Sequence, residues 1–323
     1  QRDNGAQDVV LQVSAKNLKV DKYLLAAIPS EIVPLARRIR PGGALNANIA
    51  RLEIHRPPLS STQPATTQPF VPAEVTWKAD GGLAFRDVVM DFGFGPRRIT
   101  GRITGRAEQQ SKEKLGIDAK AELSRLMVKK QEMVELKGQL LKRMDSDTLQ
   151  INGVSGKWHG GKIDGEVTIR LIDPIHYELS ASIWNVDMEK LVNAGEKDPK
   201  KWMKVDGMVS GRLSLEATAG KHPQRQAAGE LILTRGHMFE LPVFLGLINV
   251  VFLQLPGESA FNRGFVNYHL KNDLLRFHEI YLTGWDRKTK TGRGISILGT
   301  GTLNMKNEKL NLTFLTGPPG ELP

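Results

Sequence analysis

The chain has 323 residues, 40% of them hydrophobic and 25% charged, enough apolar material for a folded core and too much for a disordered chain. Lys plus Arg number 45 against 35 Asp plus Glu, a net charge of +10 that suits anionic partners or simple solubility. Cysteine is absent, which excludes disulfides, thiolate zinc sites and cysteine nucleophiles.

The first element in chain order is an alternating run, LQVSAKNLKVDKYLL (11–25), read as a strand followed by Val20-Asp21 and a short apolar segment. Ser30 to Arg40 reads as a helix, with an N-cap serine and a stop at Pro41-Gly42-Gly43. Residues 57–72 are rich in Pro, Thr and Gln and read as a solvated loop inserted between strands. Residues 112–144 are charge-rich, yet Leu115, Ile117, Ala119, Ala121 and Leu123 alternate, so strands are expected there.

Period-two alternation then dominates. Ile163, Val167 and Ile169 alternate with Asp164, Glu166 and Thr168. Leu179, Ala181 and Ile183 follow the same rule, then Val209, Leu213, Leu215 and Ala217, then Leu231 and Leu233. Ile295, Ile297 and Leu303 continue it, as do Leu310, Leu312 and Phe314. One apolar and one wet face per strand predicts antiparallel sheet, because parallel strands buried on both faces read as unbroken apolar runs. Links such as Asn152-Gly153 and Gly160-Gly161 suit hairpins. The spacing from one strand to the next is roughly 8–12 residues, that of meandering all-β chains.

Between these strands lies an apolar helix, 241–255, opened by Pro242 and closed by Pro256-Gly257. Leu241, Phe244, Leu245, Ile248, Val251, Phe252 and Leu255 recur at helical spacings and predict a cap over one end of the sheet or a core helix. It falls short of the roughly 20 residues of a membrane span, so the chain as given is not expected to be an integral membrane protein. The basic stretch 285–293 reads as a loop in which Arg287, Lys288, Lys290 and Arg293 could meet lipid phosphates, or simply form a solvated hairpin tip. Residues 177–192 echo 11–25, with Val186-Asp187 on Val20-Asp21, and Leu241-Pro242 echoes Ile28-Pro29, which suggests a quasi-repetitive fold.

The search for chemistry is almost empty. There is no Walker A sequence, no HExxH and no nucleophile elbow, since Gly153-Val154-Ser155-Gly156 has the wrong spacing. His176, His269 and His278 fall in strand-like runs, and Gly299-Thr300-Gly301 lacks the third glycine of a dinucleotide site. Asp164 and Glu166 share a face that alternation turns to water. No catalytic, cofactor or metal site is expected, and no RNP pattern or recognition helix points to nucleic acid.

The C-terminal third carries a resemblance. Gly229-Glu230-Leu231-Ile232-Leu233, the Leu-Pro helix at 241–255 and FNRGFVNYHL (261–270) come first. Leu298-Gly299-Thr300-Gly301-Thr302-Leu303 and Leu310-Asn311-Leu312 follow. Together with Ile151-Asn152-Gly153, Gly160-Gly161 and Asn185-Val186-Asp187, this order resembles the C-terminal region of AsmA-like proteins, best over 149–316. The resemblance implies an elongated antiparallel sheet curved into a U-shaped hydrophobic groove, with short helices, tethered at the inner membrane and facing the periplasm. It also implies non-enzymatic handling of phospholipid on its way to the outer membrane. The first residue, Gln1, leaves room for a preceding signal peptide or anchor.

On this reading residues 1–148 form an N-terminal groove portion and 149–323 the AsmA-like portion. Leu179, Ala181, Ile183, Leu213, Leu215, Leu231 and Leu233 line the groove. The expected partners are phospholipid or another acyl lipid, an anionic membrane surface and an envelope protein. Two alternatives stand beside it: a closed sandwich core, and an envelope assembly protein whose sheet edge recruits another chain.

Overall fold

The computed structural model describes residues 7–26, 39–40, 42–57, 75–91, 96–111, 114–128, 130–172, 174–202, 205–218, 224–237, 261–286, 291–307 and 309–318. The first strands are β1 (Gln7–Lys19), β2 (Ile39–Arg40), β3 (Ala44–Arg56), β4 (Thr76–Asp91), β5 (Pro96–Gln109) and β6 (Leu115–Val128). Next come β7 (Gln131–Lys142), β8 (Thr148–Trp158), β9 (Gly161–Arg170), β10 (His176–Asp187) and β11 (Asp206–Thr218). The last are β12 (Arg225–His237), β13 (Arg263–Lys271), β14 (Leu274–Asp286), β15 (Thr291–Asn304) and β16 (Lys309–Gly317). Two five-residue helices, α1 (Lys22–Ala26) and α2 (Met188–Val192), interrupt them.

The protein is mainly β: one antiparallel sheet takes β1 and then β3 to β16 in chain order, with β2 added alongside β4. The sheet is not closed, since β1 and β16 each have a neighbour on one side only. The described residues hold 16 strands, and apart from β2 each is 9 to 16 residues long. The strands expected within 112–144 are β6 and β7. Contacts divide the chain into two compact units: 1–129 with 134–154 and 168–175, and 130–133 with 155–167 and 176–323.

Strands this long do not stay in strict alternation. Inward side chains step by three residues instead of two at Ala15/Leu18, Phe85/Val88, Ile183/Val186 and Phe277/Ile280, each step marking a β-bulge. In three of these the extra residue adopts a left-handed backbone: Asn17 (φ 56°), Asp87 (φ 52°) and Asn185 (φ 52°). Asn and Asp tolerate this region better than other non-glycine residues. The amide freed at each bulge is caught by a side chain of the neighbouring strand. Asn17 N donates to Asn46 Oδ1 (2.6 Å), Asp87 N to Thr100 Oγ1 (3.1 Å) and Asn185 N to Ser210 Oγ (3.0 Å). The bulge returns the apolar sequence to its face, and Val88 (1% exposed) and Val186 (0%) land buried just beyond.

The echo between 11–25 and 177–192 is also structural. Val20 and Val186 are both buried, and the next residue caps a five-residue helix. Asp21 Oδ1 accepts from the amides of Tyr23 and Leu24 (3.0 and 2.9 Å), and Asp187 Oδ1 from Lys190 N (3.2 Å). The companion echo, Ile28-Pro29 with Leu241-Pro242, lies outside the described residues, as does the loop at 58–72. The helix expected over Ser30–Arg40 is corrected at its end: Ile39 and Arg40 are extended and pair with Met90 and Val89. The β-branched Ile39 and the facing apolar edge of β4 favour pairing over another helical turn.

Asn185→Val should lower stability by about 1–3 kcal/mol, because a β-branched residue is strained at positive φ. Asn185→Gly should unfold at nearly the wild-type urea concentration. Equal losses in both would show that the bulge conformation is not the constraint.

Candidate functional site: the apolar face of the second unit

Pairing across β10 to β16 stacks inward side chains into cross-strand rows. One runs Val186, Val209, Leu233, Gly264, Leu282, Ile297. Its side chains are buried, from 0% exposed at Val186 to 9% at Leu233, and Val209, Leu233, Leu282 and Ile297 form one cluster with Phe261 (2%) and Ile280 (7%). Met188 of α2 packs against that cluster. The next row is Ile183, Gly211, Leu231, Val266, Ile280, Gly299, Phe314; beyond it come Ala181, Leu213, Gly229, Tyr268, Phe277, Gly301, Leu312. The last is Leu179, Leu215, Ala227, Leu270, Leu275, Leu303, Leu310.

All seven sequence-predicted lining residues therefore lie on one face. Leu233 belongs to the buried row, and Leu179, Ala181, Ile183, Leu213, Leu215 and Leu231 are half-buried in the three rows beyond it. Glycines let large neighbours lie flat. A Cβ on Gly299 would sit 2.5 Å from the Phe314 ring, and one on Gly229 would meet the Tyr268 hydroxyl at 2.7 Å. The phenol of Tyr268 is pushed up by burial on this face. Val266, Tyr268, Leu270, Phe277 and Leu312 extend the rows. The alternation of Val266, Tyr268 and Leu270 within FVNYHL was the available signal.

The other face carries charge beside an apolar row of Ile232, Phe265, Tyr281, Leu298 and Leu315. Arg212 pairs directly across the strands with Glu230 (2.5 Å). This exposed pair adds little stability and marks a wetted part of that side. The first unit repeats the division. Its inner rows include Leu52, Ala79, Ala107 and Ile117, while Arg102–Glu122 (2.5 Å), Arg106–Asp80 (2.6 Å) and Lys78–Glu108 (3.5 Å) cross its outer face. A depression of about 820 Å³ opens among these charges, at Arg51, Lys78, Asp80, Arg106 and Lys142. Lys142 is buried there, donating to the carbonyl of Leu115 (2.7 Å), and burial lowers its pKa.

Leu241 to Leu255 and Arg287, Lys288 and Lys290 lie outside the described residues. Arg293 is corrected from loop to strand: it sits in β15 opposite Gly284, because β14 runs on to Asp286 and β15 starts at Thr291. His176, His269 and His278 lie in β10, β13 and β14, as expected. Among the described residues no group of three His, Asp or Glu could hold a metal ion, and no helix is long and apolar enough to cross a membrane.

A polar clasp fixes the end of the second unit beside α2. The Gln131 side chain donates through Nε2 to Leu191 O (3.0 Å), and its Oε1 meets His159 Nε2 at 2.6 Å. Burial lowers the His159 pKa, against the opposing pull of the Asp187 carboxylate. For Asp187, burial works to raise the pKa, but the Lys190 amide and ammonium outweigh it and hold the carboxyl low. No protein-family model, curated protein or solved structure matches the chain.

With its folded pKa depressed, His159 contributes stability that is present above its ordinary value of 6.5 and lost as pH falls through the folded value. The melting temperature should therefore drop as pH is lowered below that point, and His159→Gln should flatten the drop. An unchanged pH profile in the variant would remove His159 from the account.

Proposed function

We propose that the apolar face of the second unit shields lipid acyl chains from water, as a non-enzymatic component of phospholipid transport or homeostasis in a bacterial envelope. The observation that carries this reading is the set of half-buried aliphatic rows at Leu179, Leu213, Leu215 and Leu231, on the side of the sheet away from the exposed Arg212–Glu230 pair. A closed sandwich would bury those leucines as completely as Val186 and Ile297. An acyl chain laid across them regains part of the missing burial. At about 0.8 kcal/mol per buried methylene, ten methylenes half covered amount to roughly 4 kcal/mol. The resemblance to AsmA-like proteins supports the same reading and suggests a U-shaped groove and a periplasmic location.

The purified protein should carry phospholipid through gel filtration, detected by mass spectrometry of the organic extract. Leu215→Asp should lower the load, because it sets a charge among the half-buried leucines. Ser214→Asp, on the wet face, should not. Equal loads in two well-folded variants would contradict the proposal, and global unfolding of Leu215→Asp would mark the face as closed core.

A further inference from the structure

Beyond the acyl-chain face, we propose that the loop from Val192 to Trp202, beside α2, is a docking surface for an anionic phospholipid bilayer. The segment is built rather than loose. Asn193 N and Nδ2 both donate to Glu189 O (3.1 and 2.9 Å), and Glu196 N donates to Asn193 O (3.0 Å). Trp202 Nε1 donates to Glu196 O (3.2 Å). Gly195 (φ 82°) gives way to the stem of Lys130, whose side-chain carbons lie 2.6–2.8 Å from where its Cβ would be.

This scaffold sorts the charges. The carboxylates of Glu196 and Asp198 turn to backbone amides, accepting from Asp198 N and Lys200 N (3.0 Å each). Lys197 and Lys200 are exposed and have no carboxylate partner among the described residues. Lys130 projects from the same junction and is exposed too. Between these cations the structure leaves large apolar groups in water: Val192 is 41% exposed and Trp202 38%. The indole N–H is already satisfied, so what Trp202 offers outward is hydrocarbon. An amphipathic ring beside lysines suits the headgroup level of a bilayer, where the ring meets the acyl boundary and the ammonium groups meet lipid phosphates. Double-stranded nucleic acid would use the lysines and leave Val192 and Trp202 without a partner.

Co-sedimentation of the full chain separates the possibilities. It should bind vesicles of equimolar phosphatidylcholine and phosphatidylglycerol, and pure phosphatidylcholine only weakly. Binding should weaken as salt rises. Lys197→Gln with Lys200→Gln should reduce affinity about 10- to 30-fold. In a separate variant, Trp202→Phe should lose most of the vesicle-induced blue shift in tryptophan emission. Lipid carried through gel filtration should stay as in the parent, so failure here is distinguishable from failure of the acyl-chain reading. Equal binding to neutral vesicles, undiminished binding of the double-glutamine variant, or displacement by short duplex DNA at comparable concentration would each overturn the proposal.

Discussion

The structure depends on holding aliphatic side chains on one face along strands of up to 16 residues. A pleated strand does this by alternation, and an extra residue would turn every later side chain to the wrong side. Here the extra residue is absorbed in a bulge. Asn17, Asp87 and Asn185 take a left-handed conformation, and Asn46, Thr100 and Ser210 catch the amides that leave the ladder. Without that capture each bulge would leave a backbone donor without a protein partner. With it, Val88 and Val186, which follow Asp87 and Asn185, are placed among the most buried side chains of the protein.

Much of this was legible in the sequence, because alternation reports one-sided burial directly. It located the strands, excluded a parallel sheet, and put Leu179 to Leu233 on a common face. The Val-Asp echo was legible for a related reason: a buried valine followed by a capping aspartate ends a strand and starts a helical turn in one step. What escaped lies in the slips of phase. Ile183 and Val186 are both inward although three apart, so Val186 looks out of step until Asn185 is known to have φ of 52°. Helices of five residues show no periodicity, so α1 and α2 were invisible, and the basic stretch at 285–293 looked like a loop because its charges hide two strand ends. The sequence reading also stopped its lining at Leu233. Cross-strand register adds Val266, Tyr268, Phe277 and Leu312; alternation signals most of these locally, but no single segment encodes which strand each pairs with.

Burial along the second unit is not uniform. The row at Val186 and Ile297 is closed, the rows at Ile183, Ala181 and Leu179 are mostly half-buried with Leu310 42% exposed, and Tyr177 (6%) and Ala217 (3%) beyond Leu179 are buried again. The row beside α2 is one covered end of this face. The same covered end carries the clasp of Gln131, His159 and Leu191, which anchors the loop bearing Trp202 and the lysines. A surface for acyl chains and a surface for headgroups would thus share one framework.

Because the chain has no cysteine and its two faces alternate residue by residue, a photoreactive side chain can interrogate each face from adjacent positions. The most direct measurement places benzoylphenylalanine at Leu215 or at Ser214 and irradiates the protein in the presence of radiolabelled phospholipid. The account predicts lipid adducts from position 215 and background labelling from 214. Equal labelling at the two positions, or no lipid adduct at 215 in a folded protein, would contradict it.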